Sequence, residues 1–222
     1  MSTRVVALLG HPVSHSLSPR MQNAAFAARG LDWTYVALDV EPDRLEDAVR
    51  GLEALGFAGA NVTAPYKLDV ARILGSDLPS VNTILAGGGA ASTDTAILEL
   101  VTNRHTAAIL GDGGAAAAFR HALPEAAVFS RKTAWPPDVA GADLVVNATP
   151  VRDEVLVELG AGQTLIDLPY PRTATADAAS ANGATVHDGL DVLVAQGAAS
   201  FELWTGVPAP VDVMRRAVGL PE

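Results

Sequence analysis

The chain has 222 residues, enough to bury a full core as one large or two small domains. Its formal net charge of −10 opposes nucleic acid and anionic membrane surfaces as partners, so an anionic ligand has to be met by local donors. Cysteine is absent, which excludes disulfides and thiolate chemistry, and no apolar run approaches the roughly 18 residues of a membrane span. The apolar run at 5–9 is too short for a signal peptide and soon meets Pro12, so a cytoplasmic location is expected.

The run at 5–9 ends at Gly10 and reads as a buried parallel strand. A polar turn leads to a helix starting at Pro19, with Ser18 as its expected N-cap and Gly30 as its stop. Residues 33–40 read as the next strand, and Pro42 opens a helix to about Leu55. A third apolar run, 57–62, flows into Asn61-Val-Thr-Ala-Pro-Tyr-Lys67. Pro65 removes a backbone donor and fixes φ, which delivers Thr63 and Lys67 to the end of a sheet. In open α/β folds that is the end where ligands sit.

Further along, 68–74 is expected to be a short helix, 81–85 a strand, and the three glycines 87–89 a turn. A short helix is expected at 96–101. The alternation then restarts: strand 107–110, a glycine turn, an Ala-rich helix, and strands at 127–129, 144–146 and 164–166. The tail from Gly189 to Trp204 is apolar at helical spacing, and a last helix follows Pro210. Strand and helix alternating in this way predict an α/β protein with parallel sheets and two domains.

Three groups of residues carry chemistry. In the first half, Ser14 and Ser16 stand before a helix start, where hydroxyl donors and the helix dipole suit a carboxylate. His11 and His15 straddle Pro12 in a turn with no local carboxylate partner; they read as loop histidines, and no metal site is expected. In the second half, Gly111, Gly113, Gly114 and Ala115 join a strand to a helix, so a pyrophosphate is able to approach the helix N-terminus closely. Ser130, Arg131 and Lys132 close the next strand, and Arg131 lies 20 residues after Gly111. Dinucleotide folds place an acidic residue there for a ribose hydroxyl, and cations there for a 2′-phosphate, so NADP(H) is favoured over NAD(H). Asp112, inside the same loop, adds like charge beside a pyrophosphate unless it points away. Taken singly, each feature also fits ordinary capping or a solvated turn.

Set in order, the motifs are more specific. Gly10-His-Pro-Val-Ser-His-Ser-Leu-Ser-Pro19, Asn61-Val-Thr-Ala-Pro-Tyr-Lys67, Val81-Asn82-Thr83, Thr93-Asp94, Gly111-Asp-Gly-Gly-Ala115, Asn147-Ala-Thr-Pro150 and Gln196-Gly-Ala-Ala-Ser-Phe-Glu-Leu-Trp-Thr-Gly206 resemble the shikimate dehydrogenase family nearly end to end. The resemblance implies a substrate-binding catalytic domain, 1–95 plus 189–222, and a Rossmann-type NADP-binding domain, 96–188. It implies reversible, NADPH-dependent reduction of 3-dehydroshikimate to shikimate, in aromatic amino acid and chorismate biosynthesis. Carried over by position, Lys67 and Asp94 form a catalytic pair, and Ser14 and Ser16 bind the substrate carboxylate. Thr63, Asn82 and Gln196 hold ring hydroxyls, Tyr170 lies near the carboxylate, and Thr149 joins the cofactor side. A shikimate-like carboxylate is the expected partner, with neither nucleic acid nor membrane, and the protein is expected to be a monomer or homodimer.

The sequence departs from the family pattern in several places. It is shorter than typical members, with deficits between Lys67 and Asn82 and between Asp94 and Gly111. Ser92, Arg152, Asp191 and Val192 stand where the family has Asn, Gly, Gly and Met. Quinate or an amino-substituted shikimate is an alternative substrate. A ligand-binding relative without catalysis, its nucleotide site altered, is the alternative of another kind.

Overall fold

The computed structural model describes residues 3–221, and its chain divides into two compact units. The first takes in 1–93 and 194–222, the second 94–193. The last long helix, Gly189–Thr205, runs unbroken through the position where the second unit ends.

In the first unit, strands β1 (Arg4–Gly10), β2 (Trp33–Asp39), β3 (Gly59–Val62), β4 (Thr83–Leu85) and β5 (Ala90–Ala91) form one sheet in the order β2-β1-β3-β4-β5. Helices α1 (Ser18–Ala28), α2 (Leu45–Ala54) and α3 (Lys67–Ile73) connect its strands. β1 pairs parallel with β2 and β3, as the alternation predicts, but β4 and β5 add an antiparallel edge. The reason lies in the short connection after β3. Val81 N–H donates to the Lys67 carbonyl (3.1 Å), so the chain is back at the start of α3 when β4 begins. β4 therefore leaves from the carboxyl edge of β3 and runs the other way.

Leu9, Ala60, Val62, Val70 and Ile84 sit in a core closed by α2 and α3. On the other face Phe26 of α1 packs at 5.4 Å from both Trp33 and Phe201. Ser18 is the first residue of α1 and not its cap; its N–H donates to the Ser16 hydroxyl (3.2 Å).

In the second unit, β6 (Ala107–Leu110), β7 (Ala127–Phe129), β8 (Leu144–Asn147), β9 (Thr164–Asp167) and β10 (Thr185–His187) are all parallel, in the order β10-β9-β8-β6-β7. This is a Rossmann-like sheet. Helices α4 (Gly114–Ala122) and α5 (Ala174–Ala181) follow β6 and β9. The connections after β7 and β8 contain no helix. The segment 96–101, expected to be a helix, is a single 3₁₀ stretch, Ala96–Leu100. The long C-terminal helix is α6 (Gly189–Thr205), and α7 (Val211–Val218) packs on α1. β10 and α5 are elements that sequence patterning did not foresee; β10 is three residues long, and α5 is largely Ala, so neither carries a strong period.

Candidate active site

The carboxyl edge of the first sheet is built from β1 and β3, whose ends are in register at Leu9 and Val62. Thr63 N–H donates to the Leu9 carbonyl (2.9 Å) and His11 N–H to the Ala64 carbonyl (3.3 Å), so the loops after the two strands run side by side. Gly10 makes this approach feasible, because a Cβ there would collide with the Thr63 methyl. The structure thereby brings the loop of Ser14 and Ser16 beside Thr63. Ser14 is exposed, whereas Ser16 is half-buried and already accepts the Ser18 N–H.

Lys67 is the first residue of α3 and is half-buried. Its carbonyl holds Val81, and the next residue, Asn82, is 1 % exposed. The Asn82 side-chain oxygen accepts the Thr93 N–H (2.7 Å), and its amide donates to the Gln196 side-chain oxygen (3.2 Å). Asn82 and Gln196, far apart in sequence, thus meet at the edge that also carries Thr63 and Lys67. Asp94 follows Thr93 directly in the chain and is 3 % exposed.

Beneath these residues lies a polar cluster that sequence reasoning missed. Asn61 donates to the hydroxyls of Thr83 (3.1 Å) and Ser200 (3.0 Å) and accepts from Tyr35 (2.9 Å). Ser200 also lies 2.9 Å from the Thr83 hydroxyl and 3.0 Å from that of Thr93. It sits one helical turn beyond Gln196 and donates to the Gln196 carbonyl (3.0 Å). Buried polar groups require such partners, and a connected network fixes the positions of its members. The signal for it was Asn61 itself, the one strongly polar side chain inside an otherwise apolar strand.

His11 has a carboxylate partner that is distant in sequence. Its Nδ1 lies 2.6 Å from an Asp39 carboxylate oxygen at the end of the neighbouring strand. The hydrogen bond to Asp39 raises the imidazole pKa above its ordinary 6.5, and Glu41 adds in the same direction. A partner 28 residues away is invisible to local spacing.

In the second unit the candidate cofactor residues gather at the carboxyl ends of three adjacent parallel strands. Gly111 has φ +119°, and a Cβ there would also meet the Ala148 carbonyl at 2.9 Å, so only glycine fits. Its N–H donates to the Phe129 carbonyl (2.8 Å), which sets the glycine loop beside Ser130. Gly113 is the N-cap of α4, without a side-chain cap, and a Cβ there would find open space. Gly114 and Ala115 form the first turn, whose N–H groups have no intrahelical partner. A tight glycine turn, a helix N-terminus open above it and cations on the next strand are the donor set that suits a dinucleotide's phosphates.

Asp112 does not stand as an unbalanced charge in this loop. Its carboxylate pairs with Lys132 Nζ at 2.8 Å, and Arg131 faces Glu154 at 3.8 Å. Thr149 closes the third strand end, its N–H (3.1 Å) and hydroxyl (2.8 Å) both donating to the Asn147 side chain. Asn147 in turn donates to Asp167 (2.7 Å), whose other oxygen accepts from Thr173 (2.7 Å). Burial pushes the Asp167 carboxyl above the usual carboxylate range, although the hydrogen bonds from Thr173 and Asn147 pull the other way. Tyr170 lies half-buried in the loop that follows, still within the second unit. Arg152 is exposed, and Asp191 is half-buried on α6.

The fold and these edges define a class: a two-domain α/β protein with a Rossmann-like second unit. The substrate binding domain of shikimate dehydrogenase matches residues 8–84, and the C-terminal domain of shikimate 5′-dehydrogenase matches 189–218. The shikimate dehydrogenase (NADP(+)) of Moorella thermoacetica is 38% identical, covering 98% of this chain and 93% of its own. Among solved structures, the Aquifex aeolicus shikimate dehydrogenase superposes with a TM-score of 0.86 at 28% identity, covering 98% of each chain. The Thermus thermophilus shikimate 5-dehydrogenase, solved in complex with NADP(H) and shikimate, gives 0.80 at 30% identity, covering 96% of this chain and 98% of its own. This chain belongs to the shikimate dehydrogenase family.

Proposed function

We propose that the protein catalyses the reversible, NADPH-dependent reduction of 3-dehydroshikimate to shikimate, a step of aromatic amino acid and chorismate biosynthesis. The observation that carries this reading is the meeting of Asn82 and Gln196 (3.2 Å) at the sheet edge that also carries Thr63 and Lys67. Those side chains offer amide and hydroxyl groups for a polyhydroxylated ring, and Lys67 begins the helix that leaves the same edge.

When bound, the nicotinamide cofactor donates or accepts hydride. Thr63, Asn82 and Gln196 orient the ring by hydrogen bonds to its hydroxyls, while Ser14, Ser16 and Tyr170 bind its carboxylate. Lys67 Nζ, as an ammonium, stabilises the oxyanion that develops on the ring oxygen and protonates it. In the reverse direction neutral Lys67 takes up that proton, and Asp94 is assigned as its catalytic partner. Gly111, Gly113, Gly114 and Ala115 would hold the pyrophosphate, Ser130, Arg131 and Lys132 the 2′-phosphate, and Thr149 the neighbouring part of the cofactor. The domain roles follow: 1–95 with 189–222 for substrate and catalysis, and 96–188 for NADP.

The test follows the NADPH absorbance band with shikimate or quinate and with NADP or NAD. Turnover with shikimate and NADP is expected, and Lys67→Met should lose most of kcat while KM for shikimate changes little. Measurable shikimate binding without turnover on either substrate would sink the enzyme reading, and faster turnover with quinate would move the substrate. No helix among the described residues is long and apolar enough to cross a membrane. A cytoplasmic location and a monomeric or homodimeric state complete the proposal, to be checked by cell fractionation and sedimentation.

A further inference from the structure

We propose that Asp112, seconded by Glu154, is a specificity-determining carboxylate that lowers the protein's preference for the phosphorylated dinucleotide by occupying the cations that would receive its 2′-phosphate. The inference rests on the nucleotide site assigned above. β6 and β7 are in register at Leu110 and Phe129, so residues 111–113 and 130–132 leave the sheet side by side. Across that gap the Asp112 carboxylate meets Lys132 Nζ at 2.8 Å. From the loop after β8, Glu154 reaches Arg131 at 3.8 Å. Both cations therefore already have anionic partners before any ligand arrives.

Neither pair is needed to hold the fold. The Lys132 and Asp112 side chains are 81% and 46% exposed, those of Arg131 and Glu154 66% and 70%. Asp112 is also not the N-cap of α4, which is Gly113 and makes no side-chain cap hydrogen bond. Its carboxylate is engaged by Lys132 instead.

The consequence differs between the two dinucleotides. A 2′-phosphate arriving at Ser130–Lys132 has to exchange with Asp112 for Lys132. The released carboxylate then stands in the glycine loop beside the pyrophosphate, where like charges repel. A dinucleotide lacking that phosphate leaves both pairs intact, and Asp112 stays neutralised by Lys132. The guard therefore weakens NADP(H) binding more than NAD(H) binding. Because the groups are exposed, the effect has the size of a surface ion pair and is screened by salt.

The experiment titrates the full-length protein with NADPH and with NADH, followed by nucleotide fluorescence at low and high salt. Asp112→Asn should tighten NADPH about two- to fivefold, the range set by an exposed pair, and tighten NADH less. Adding Lys132→Met to that variant should abolish the gain, and Glu154→Gln alone should give a smaller gain because its pair is longer. High salt should shrink the difference between wild type and Asp112→Asn. Equal tightening of both nucleotides, or no change with NADPH, overturns the proposal while leaving the nucleotide site in place. Failure of both wild type and Asp112→Asn to bind NADPH overturns the site and the proposal together.

Discussion

Replacing Gly59 by alanine places a methyl group where the sheet and the C-terminal helix meet. A Cβ at Gly59 would collide with the Trp204 indole nitrogen and approach the Ile84 carbonyl at 2.6 Å and Trp204 Cδ1 at 2.7 Å. Those two partners are bonded to each other: the indole N–H donates to the Ile84 carbonyl at 3.0 Å. The methyl therefore either breaks that bond or pushes β3 from β4 at the Gly59–Leu85 pair. Overpacking a tight core costs about 1–3 kcal/mol, and a buried N–H left without an acceptor costs about 1–3 kcal/mol more, so a loss of about 2–6 kcal/mol is expected. Urea unfolding followed by far-UV circular dichroism measures it. Gly51→Ala is the internal control, because nothing lies within 4 Å of a Cβ there and Gly51 is inside α2. It should stabilise by about 0.5–1 kcal/mol. If the wedge argument holds, Trp204→Phe combined with Gly59→Ala costs less than the sum of the two. A Gly59→Ala protein within about 0.5 kcal/mol of wild type would refute the reasoning.

Other expectations follow from the polar groups. His11 should titrate above 6.5 in nuclear magnetic resonance, and Asp39→Asn should bring it down. Its folded pKa is raised, so its contribution to stability is fully present below pH 6.5 and is lost as pH rises through the folded value. An unchanged His11 titration in Asp39→Asn would remove Asp39 as the cause. Asp167→Leu leaves the Asn147 amide and the Thr173 hydroxyl, both fully buried, without their acceptor, and should cost about 2–6 kcal/mol. Asp167→Asn should behave differently. The folded carboxyl pKa is raised above 3.8, so the wild type loses stability as pH rises from there through the folded value, and the variant lacks that loss. A stability difference between the two that is flat across this range would contradict the buried, charge-penalised assignment.

Much of the fold was legible because its central strands are buried on both faces. β1, β6, β8 and β9 are short apolar runs, stopped by glycine at the end of β1 and after β6 and by Asn147 and Asp167 in β8 and β9, and this suffices to read them. The antiparallel edge was not legible, since strand direction depends on where the chain returns, which the Val81 to Lys67 hydrogen bond decides. Of the candidate site, sequence order supplied the residue types at the strand ends, Thr63, Lys67, Asn82, the glycines after β6 and the cations after β7. Of the groups that hold them, Asn61 stood out as a polar side chain in an apolar strand, but its partners Thr83, Thr93 and Ser200, and the pair Asp167 and Thr173 in the other unit, are joined only in the folded chain.

By itself, then, the sequence determined which residues end strands, because burial of apolar runs and the backbone needs of glycine and proline act over a few neighbouring positions. It also carried the family, through motifs whose order spans the chain. Only the tertiary structure decided the partners: Asn82 with Gln196, His11 with Asp39, Lys132 with Asp112. Hydrogen bonds and ion pairs act over a few ångströms in space, and the folded sheet brings together residues that the sequence keeps 20 to 114 positions apart.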